Sequence, residues 1–274
     1  GMQLVSLVVL CFTCRVDEAA NIRFSKEGEF ELSREKNIIV FVIDTLQADT
    51  LQKYVESEYY EEGLFDDFTF FVNTVSGGAP TNVAFPVLLS GNEYDPMQPV
   101  HEYLEDVWGK NQLHLSLEEE GYDARLYTEY QGVPEMPIDY VPNCIVTDGA
   151  SIVDGTKFIQ KMYQLTGFYL VPQCIKKEFW MSTNEITDTI GWGDMYYNID
   201  NGSFYHDVLQ IKGIETNEKK AFRLYHLQGV HRAFCRDEEL RQVIPDSVTE
   251  EQVMRGVAKE LGIYLKQLKE NEFY

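Results

Sequence analysis

The alternation of apolar and polar positions breaks down at residue 37. Ile38, Ile39, Val40, Phe41, Val42 and Ile43 follow one another without a polar residue, and Asp44 and Thr45 end the run. β-Branched and aromatic residues without alternation predict a strand covered on both faces, as in the interior of a parallel sheet. Residues 46–59 then carry helical spacing, with Thr45 as the expected cap and Asp49 in the first turn, where the helix dipole favours a negative charge. Residues 66–72 (DDFTFFV) predict a further strand. Gly77-Gly78-Ala79-Pro80 predicts a tight turn, and Thr81 opens a helix that Gly91 stops. Helices are expected over 101–108 and 112–120, and Gly121 separates the second from a strand over 122–127.

Further along, helices are expected over 155–165 and 202–212. Residues 220–227 (KAFRLYHL) predict a strand, followed by the turn Gln228-Gly229 and then His231. The last helix, 249–270, is the most regular. Thr249 caps it, and Val253, Val257, Leu261, Leu265 and Leu268 keep one face apolar. Residues 21–32 predict a hairpin turning at Glu27-Gly28. The apolar residues 2–14 read as a strand, or as the end of a membrane span begun upstream; alone they fall short of the roughly 20 residues a spanning helix needs. Helices alternating with strands predict an α/β fold with a mostly parallel sheet. Residues 1–36 form a strand-and-hairpin extension to an α/β domain over 37–274.

Composition narrows the function. The 274 residues are 44% hydrophobic and 13% aromatic, which is a globular chain with ample core. The net charge of −22, from 45 acids and 23 bases, excludes a nucleic-acid partner. It also predicts repulsion from anionic headgroups, because no run of Lys or Arg offsets it. Five scattered cysteines read as mostly buried thiols, and Cys11 and Cys14 lack the second pair that a zinc site requires.

Four residues carry candidate chemistry. Asp44 follows a buried strand, where its simplest role is a helix cap or turn residue; at that end of an α/β sheet the functional alternative is a ligand for a hard cation. Thr81 is likewise a cap by habit. Behind the glycine turn, its hydroxyl also sits at a helix N-terminus suited to an anionic ester, where it would serve as a nucleophile. His226 lies on the strand 220–227 and reads as a core or substrate-side group. His231 follows the turn and faces the same sheet end, where it would contact substrate or protonate a leaving oxygen. Trp180, Trp192, Tyr196 and Tyr197 form an aromatic core patch, or alternatively the wall of a cleft.

Four segments in order carry a family resemblance. NIIVFVIDTLQAD resembles the opening strand of the sulfatase/alkaline-phosphatase superfamily, and TNVAFPVLLSG resembles its nucleophile segment. LSLEEEGYDARLY and RLYHLQGVHRAF resemble later landmarks. The superfamily implies a three-layer α/β/α sandwich with a mostly parallel central sheet. Sulfatases place Cys or Ser ahead of Pro and Arg at the nucleophile; here Thr81 is followed by Pro86, with no arginine between Ala79 and Gly91. This is closer to the lipoteichoic acid synthase and phosphoethanolamine transferase branch. That branch implies a Thr81 nucleophile, Asp44 and Thr81 as metal ligands, and His231 and His226 at the substrate.

By resemblance, the substrate is a lipid-head or cell-envelope polysaccharide ester. The cofactor is a divalent Mn, Mg, Zn or Ca. The parent protein is membrane-anchored, with an extracytoplasmic catalytic domain. The superfamily completes its metal site with an Asp-His pair after a long helix, and this sequence has none after residue 270. The expectation is therefore a fold incomplete at the C-terminus, soluble, with no metal bound in this chain alone. Arylsulfatase-like hydrolysis and a non-catalytic binding domain remain the alternatives.

Overall fold

The computed structural model describes residues 22–273 apart from 111, 112, 138, 140, 148–151, 153, 183, 188, 190–194 and 212. The expectations for residues 2–14, Cys11, Cys14 and Trp192 lie outside the described residues. The architecture is mixed α/β with parallel strands. Its centre is a three-stranded sheet of β3 (Asn37–Ile43), β4 (Tyr122–Tyr127) and β7 (Lys220–Leu227), in the order β3-β7-β4, all parallel. All three strands run where their apolar patterns placed them. The last strand in sequence is inserted between the first two, so β3 lies at an edge among the described residues and is only half-buried. The strand covered on both faces is β7, buried from Ala221 to Leu227.

The alternate side chains of β7 leave by opposite faces. Tyr225 stacks on Phe41 and Tyr127, at 5.3 and 5.1 Å between ring centroids. On the same face it meets Phe204 of α7 (Asn201–Gln210) and Tyr264 of α8 (Glu250–Glu270). His226 leaves by the other face, against Phe85 of α2 (Thr81–Ser90) at 4.8 Å. Phe222, on the His226 side, meets Leu89 of α2 and Leu117 of α4 (Leu113–Glu119) around a small apolar gap. The remaining helices are α1 (Ala48–Val55), α3 (Val100–Lys110), α5 (Gly155–Leu170) and the short α6 (Asn184–Thr187). Helix α8 has the capping box its sequence promised: the Thr249 hydroxyl accepts from the Gln252 N–H, and the Gln252 side chain accepts from the Thr249 N–H. No helix among the described residues is long and apolar enough to cross a membrane.

Four expectations need correction. The turn at Glu27-Gly28 exists, but β1 (Ile22–Phe24) and β2 (Glu31–Ser33) do not pair with each other. β1 pairs antiparallel with β5 (Cys144–Val146), and β2 pairs parallel with β6 (Glu215–Asn217). The turn is held instead by the sheet: the Glu27 carbonyl accepts from Arg125 and Tyr127, and the Gly28 carbonyl accepts from Arg223. Gly28 has φ +64°, and a Cβ there would lie 2.8 Å from the Arg125 guanidinium, so this seat needs glycine. Arg125 and Arg223 share the carboxylate of Asp123 at 2.9 and 2.8 Å, a buried triad beneath the turn.

Residues 66–72 form no strand. Phe65 and Phe68 pack edge-to-face, Tyr60 stacks on Phe65, and the Phe68 N–H is spent on a local turn to Phe65. Phe68 is thus held in a local turn, while Phe70, Phe71 and Val72 are exposed. Thr45 is not a helix cap; its φ of +53° is incompatible with the extended conformation a cap requires, and the cap of α1 is Gln47. Finally, the described thiols are not mostly buried: Cys144 and Cys235 are half-buried and Cys174 is exposed.

Candidate functional site

Asp44 closes β3. Its N–H donates to the Leu227 carbonyl at 3.0 Å, and its own carbonyl accepts from the Val230 N–H at 3.0 Å. The backbone ladder therefore continues one residue beyond both strands and brings the turn 228–231 against Asp44. Only glycine permits this approach: Gly229 has φ +61°, and a Cβ there would lie 2.5 Å from the Asp44 carbonyl oxygen. Asn201, at the start of α7, holds Gly229 from the other side, donating to its carbonyl and accepting from its N–H, both at 2.8 Å. His231 follows on the exposed rim of this turn.

His226 sits beneath. It is 4% exposed, and its Nδ1 lies 3.0 Å from the Thr128 hydroxyl. Its Nε2 is buried with no hydrogen-bond partner among the described residues. Burial pushes its pKa down to about 4; the Asp44 carboxylate draws it up, and a charge on His231 pushes it down further. His226 is therefore a neutral imidazole at pH 7, able to offer a hydrogen bond but not a proton. Asp44, His226 and His231 lie within electrostatic reach of one another at the C-terminal end of the sheet, the end where open α/β folds place ligands.

Thr81 enters from α2. The cap of that helix is Pro80, with Thr81 as the first helical residue, so its hydroxyl does not serve as the cap. The Thr81 methyl and the Thr128 hydroxyl both lie within 3.6 Å of the point a Cβ on Gly132 would occupy. Gly132 thus lies between Thr81 and Thr128, and Thr128 in turn bonds His226. Neither Asp44 nor Thr81 is a helix cap, since Gln47 and Pro80 take those positions, but Asp44 is the turn residue its place after a strand predicts.

The structure also adds residues that the sequence did not flag. Thr128 follows β4 directly, and its place at the sheet end was readable from that position. Asn201 carried no such signal, because its role depends on a partner 28 residues away. Tyr197 belongs to the core, donating its phenol O–H to the His226 carbonyl at 2.9 Å. Trp180 instead lines a separate cavity of about 360 Å³ with Phe168 and Lys176.

A divalent cation does not fit the side chains assembled here. Among the described residues no group of three or more His, Cys, Asp or Glu could hold one, and Asp44 with Thr81 supplies a single carboxylate and a hydroxyl. The Thr128–His226 pair gives a direct test. Thr128→Val keeps the shape and leaves Nδ1 unpaired as well as Nε2, and is expected to cost roughly 1–3 kcal/mol in urea unfolding. An unchanged midpoint would mean that the hydroxyl does not hold the ring.

No family model matches the chain, and neither the curated proteins nor the solved structures give a match.

Proposed function

We propose that this chain belongs to the sulfatase/alkaline-phosphatase type and carries the Thr81 half of a phosphoryl-ester transferase or hydrolase acting on lipid-head or cell-envelope esters. One observation carries this proposal. A carboxylate and a second histidine lie within electrostatic reach of His226, whose Nε2 has no partner among the described residues, at the C-terminal end of a parallel sheet, and the helix that Thr81 opens packs against the same His226 through Phe85. Helix contacts on both faces of β7 support the three-layer sandwich, in which this sheet end is the open crevice.

In the chemistry proposed, Thr81 Oγ forms a bond to phosphorus and its proton passes to water. The departing alkoxide takes a proton from His231. An acceptor hydroxyl or water then attacks phosphorus and gives its proton to His231, while the bond from phosphorus to Thr81 Oγ breaks and Thr81 regains a proton from water. His226, held neutral and buried, backs the crevice beneath Asp44, and Thr128 fixes its ring. A divalent cation would neutralise charge on the ester only if further ligands joined Asp44, and no step here passes through it.

A second reading, a non-catalytic binding domain of the same fold, is favoured by the shortage of metal-type ligands among the described residues. The two part in an assay of the full chain, with manganese or zinc supplied, on bis-p-nitrophenyl phosphate and p-nitrophenyl sulfate. Phosphodiester cleavage should exceed sulfate cleavage and fall roughly a thousandfold in Thr81→Ala. Turnover of neither ester supports the binding domain, and preferential sulfate cleavage supports an arylsulfatase.

A further inference from the structure

The cavity of about 360 Å³ that Trp180 lines joins two parts of the chain that are far apart in sequence. On one side stand Phe168 of α5, the 3-10 segment Gln173–Phe179 and Trp180; on the other stand Ile244 and Pro245. Small-molecule sites occupy roughly 300–1,000 Å³ and combine apolar walls with a few polar groups that orient the ligand. Phe168, Trp180, Ile244 and Pro245 supply the apolar wall here. The backbone beneath it is tied down. The Trp180 N–H donates to the Lys177 carbonyl at 3.3 Å, and the Trp180 carbonyl accepts from the Gln164 side chain at 2.9 Å.

The charge of the lining identifies the ligand. Lys176 and Lys177 line the cavity and no carboxylate does, in a chain whose acids outnumber its bases 45 to 23. The acids nearest in sequence lie outside the wall, and one of them, Asp246, pairs with Arg232 at 3.7 Å. Lys176 Nζ lies over the Phe168 ring at 5.1 Å, so its ammonium rests on the cavity's own wall. Among the described residues, neither lysine ammonium nor the Trp180 indole N–H has a hydrogen-bond or ion-pair partner. Unspent donors and two positive charges beside aromatic rings suit an anion with an apolar body. We propose that this cavity binds a small aromatic carboxylate, with its ring on Trp180, Ile244 and Pro245 and its carboxylate on Lys176 and Lys177. A cationic ligand would meet two like charges. A bare inorganic anion would leave the apolar wall uncovered, and a neutral ring would leave both ammonium groups without a counter-charge.

This inference stands apart from the Thr81 chemistry, since binding needs no turnover and the same affinity is expected in Thr81→Ala. The test uses naphthoate, naphthylmethanol and naphthylmethylammonium in equilibrium dialysis against the full chain. Naphthoate should bind about tenfold more tightly than the alcohol, and the ammonium ion should not bind. Cys174, exposed on the same wall, gives a local readout: naphthoate should slow its alkylation by iodoacetamide in peptide mass spectrometry, while Cys235 reacts as before. Lys176→Gln with Lys177→Gln should bring the acid and the alcohol to equal affinity. Ile244→Glu, which sets a carboxylate in the wall at a half-exposed position, should abolish naphthoate binding with an unchanged circular dichroism spectrum. Wild type that binds no naphthoate overturns the proposal, as do equal affinities for acid and alcohol, and binding that the lysine pair does not change. Binding that leaves Cys174 unprotected would place the ligand elsewhere and overturn it as well.

Discussion

Gly229→Ala is expected to lower stability by roughly 3 kcal/mol, with a melting temperature about 10 °C lower. Two costs add. An L-residue held at the observed φ of +61° costs about 1–2 kcal/mol. The new methyl would also sit 2.5 Å from the Asp44 carbonyl oxygen and 2.7 Å from its nitrogen, where backbone rather than a flexible side chain has to yield. Relief requires the turn 228–231 to move off β3, which breaks the hydrogen bond from Val230 to Asp44 and the paired bonds to Asn201. The same movement carries His231 away from His226, so the phosphodiester cleavage proposed above should fall with stability. Thermal unfolding followed by circular dichroism checks the first effect. A melting temperature unchanged within a degree would mean that the turn does not press on the strand.

Glu29→Gln is expected to stabilise the protein at alkaline pH and to remove a pH dependence. Glu29 is buried beside Asp207 and Lys26, with Oε1 unpartnered. Burial raises its pKa to about 8, Asp207 raises it further, and Lys26 opposes them. The unfolded chain releases this proton near 4.5, whereas the folded chain keeps it to about 8. Between those values the unfolded state carries fewer protons, so stability is full below 4.5 and falls as pH rises, by on the order of 5 kcal/mol across the window. Glu260, fully buried with both oxygens unpartnered and its pKa raised by burial, acts in the same direction.

His226 acts in the opposite sense. Its folded pKa of about 4 lies below the ordinary 6.5, so it removes stability as pH falls through that interval. Glu29 and His226 thus offset each other on the acid side, and the loss attributable to Glu29 emerges above about 6.5. Urea midpoints at pH 5 and pH 8 test this. Wild type should lose stability between the two, and Glu29→Gln should retain about 3.5 kcal/mol more of it. A parallel decline in the two proteins would mean that Glu29 ionises normally in the fold.

The parts of the fold legible in the sequence were those written in local periodicity. β3 is a run of β-branched and aromatic residues with a sharp polar end, while β4 and β7 mix aromatic and aliphatic residues with polar ones between turn signals, and their bounds follow. Helix α8 is specified by Thr249, Gln252 and an apolar face. Pairing was not legible, because which strand lies between which is decided by contacts across 100 residues or more. Nothing in residues 220–227 says that they separate β3 from β4. Residues 66–72 misled because an aromatic run predicts a strand only where a partner covers it, and Phe70, Phe71 and Val72 are exposed. At the site, Asp44, His226 and His231 were readable from the rule that strand ends face the crevice. Thr81 was readable from the glycine turn before it. The neutrality of His226 was not readable, because it arises from burial against Phe85 and Thr128, which approach from separate segments.

The central claim is that Thr81 is a nucleophile. Its most direct test is intact-mass and peptide mass spectrometry of the full chain incubated with manganese or zinc and phosphatidylglycerol or phosphatidylethanolamine. Trapping of a head-group phosphoryl adduct on the peptide containing Thr81, absent from Thr81→Ala, is the predicted result. A folded wild type that cleaves an ester with no adduct at Thr81, or with the adduct on another residue, would contradict it.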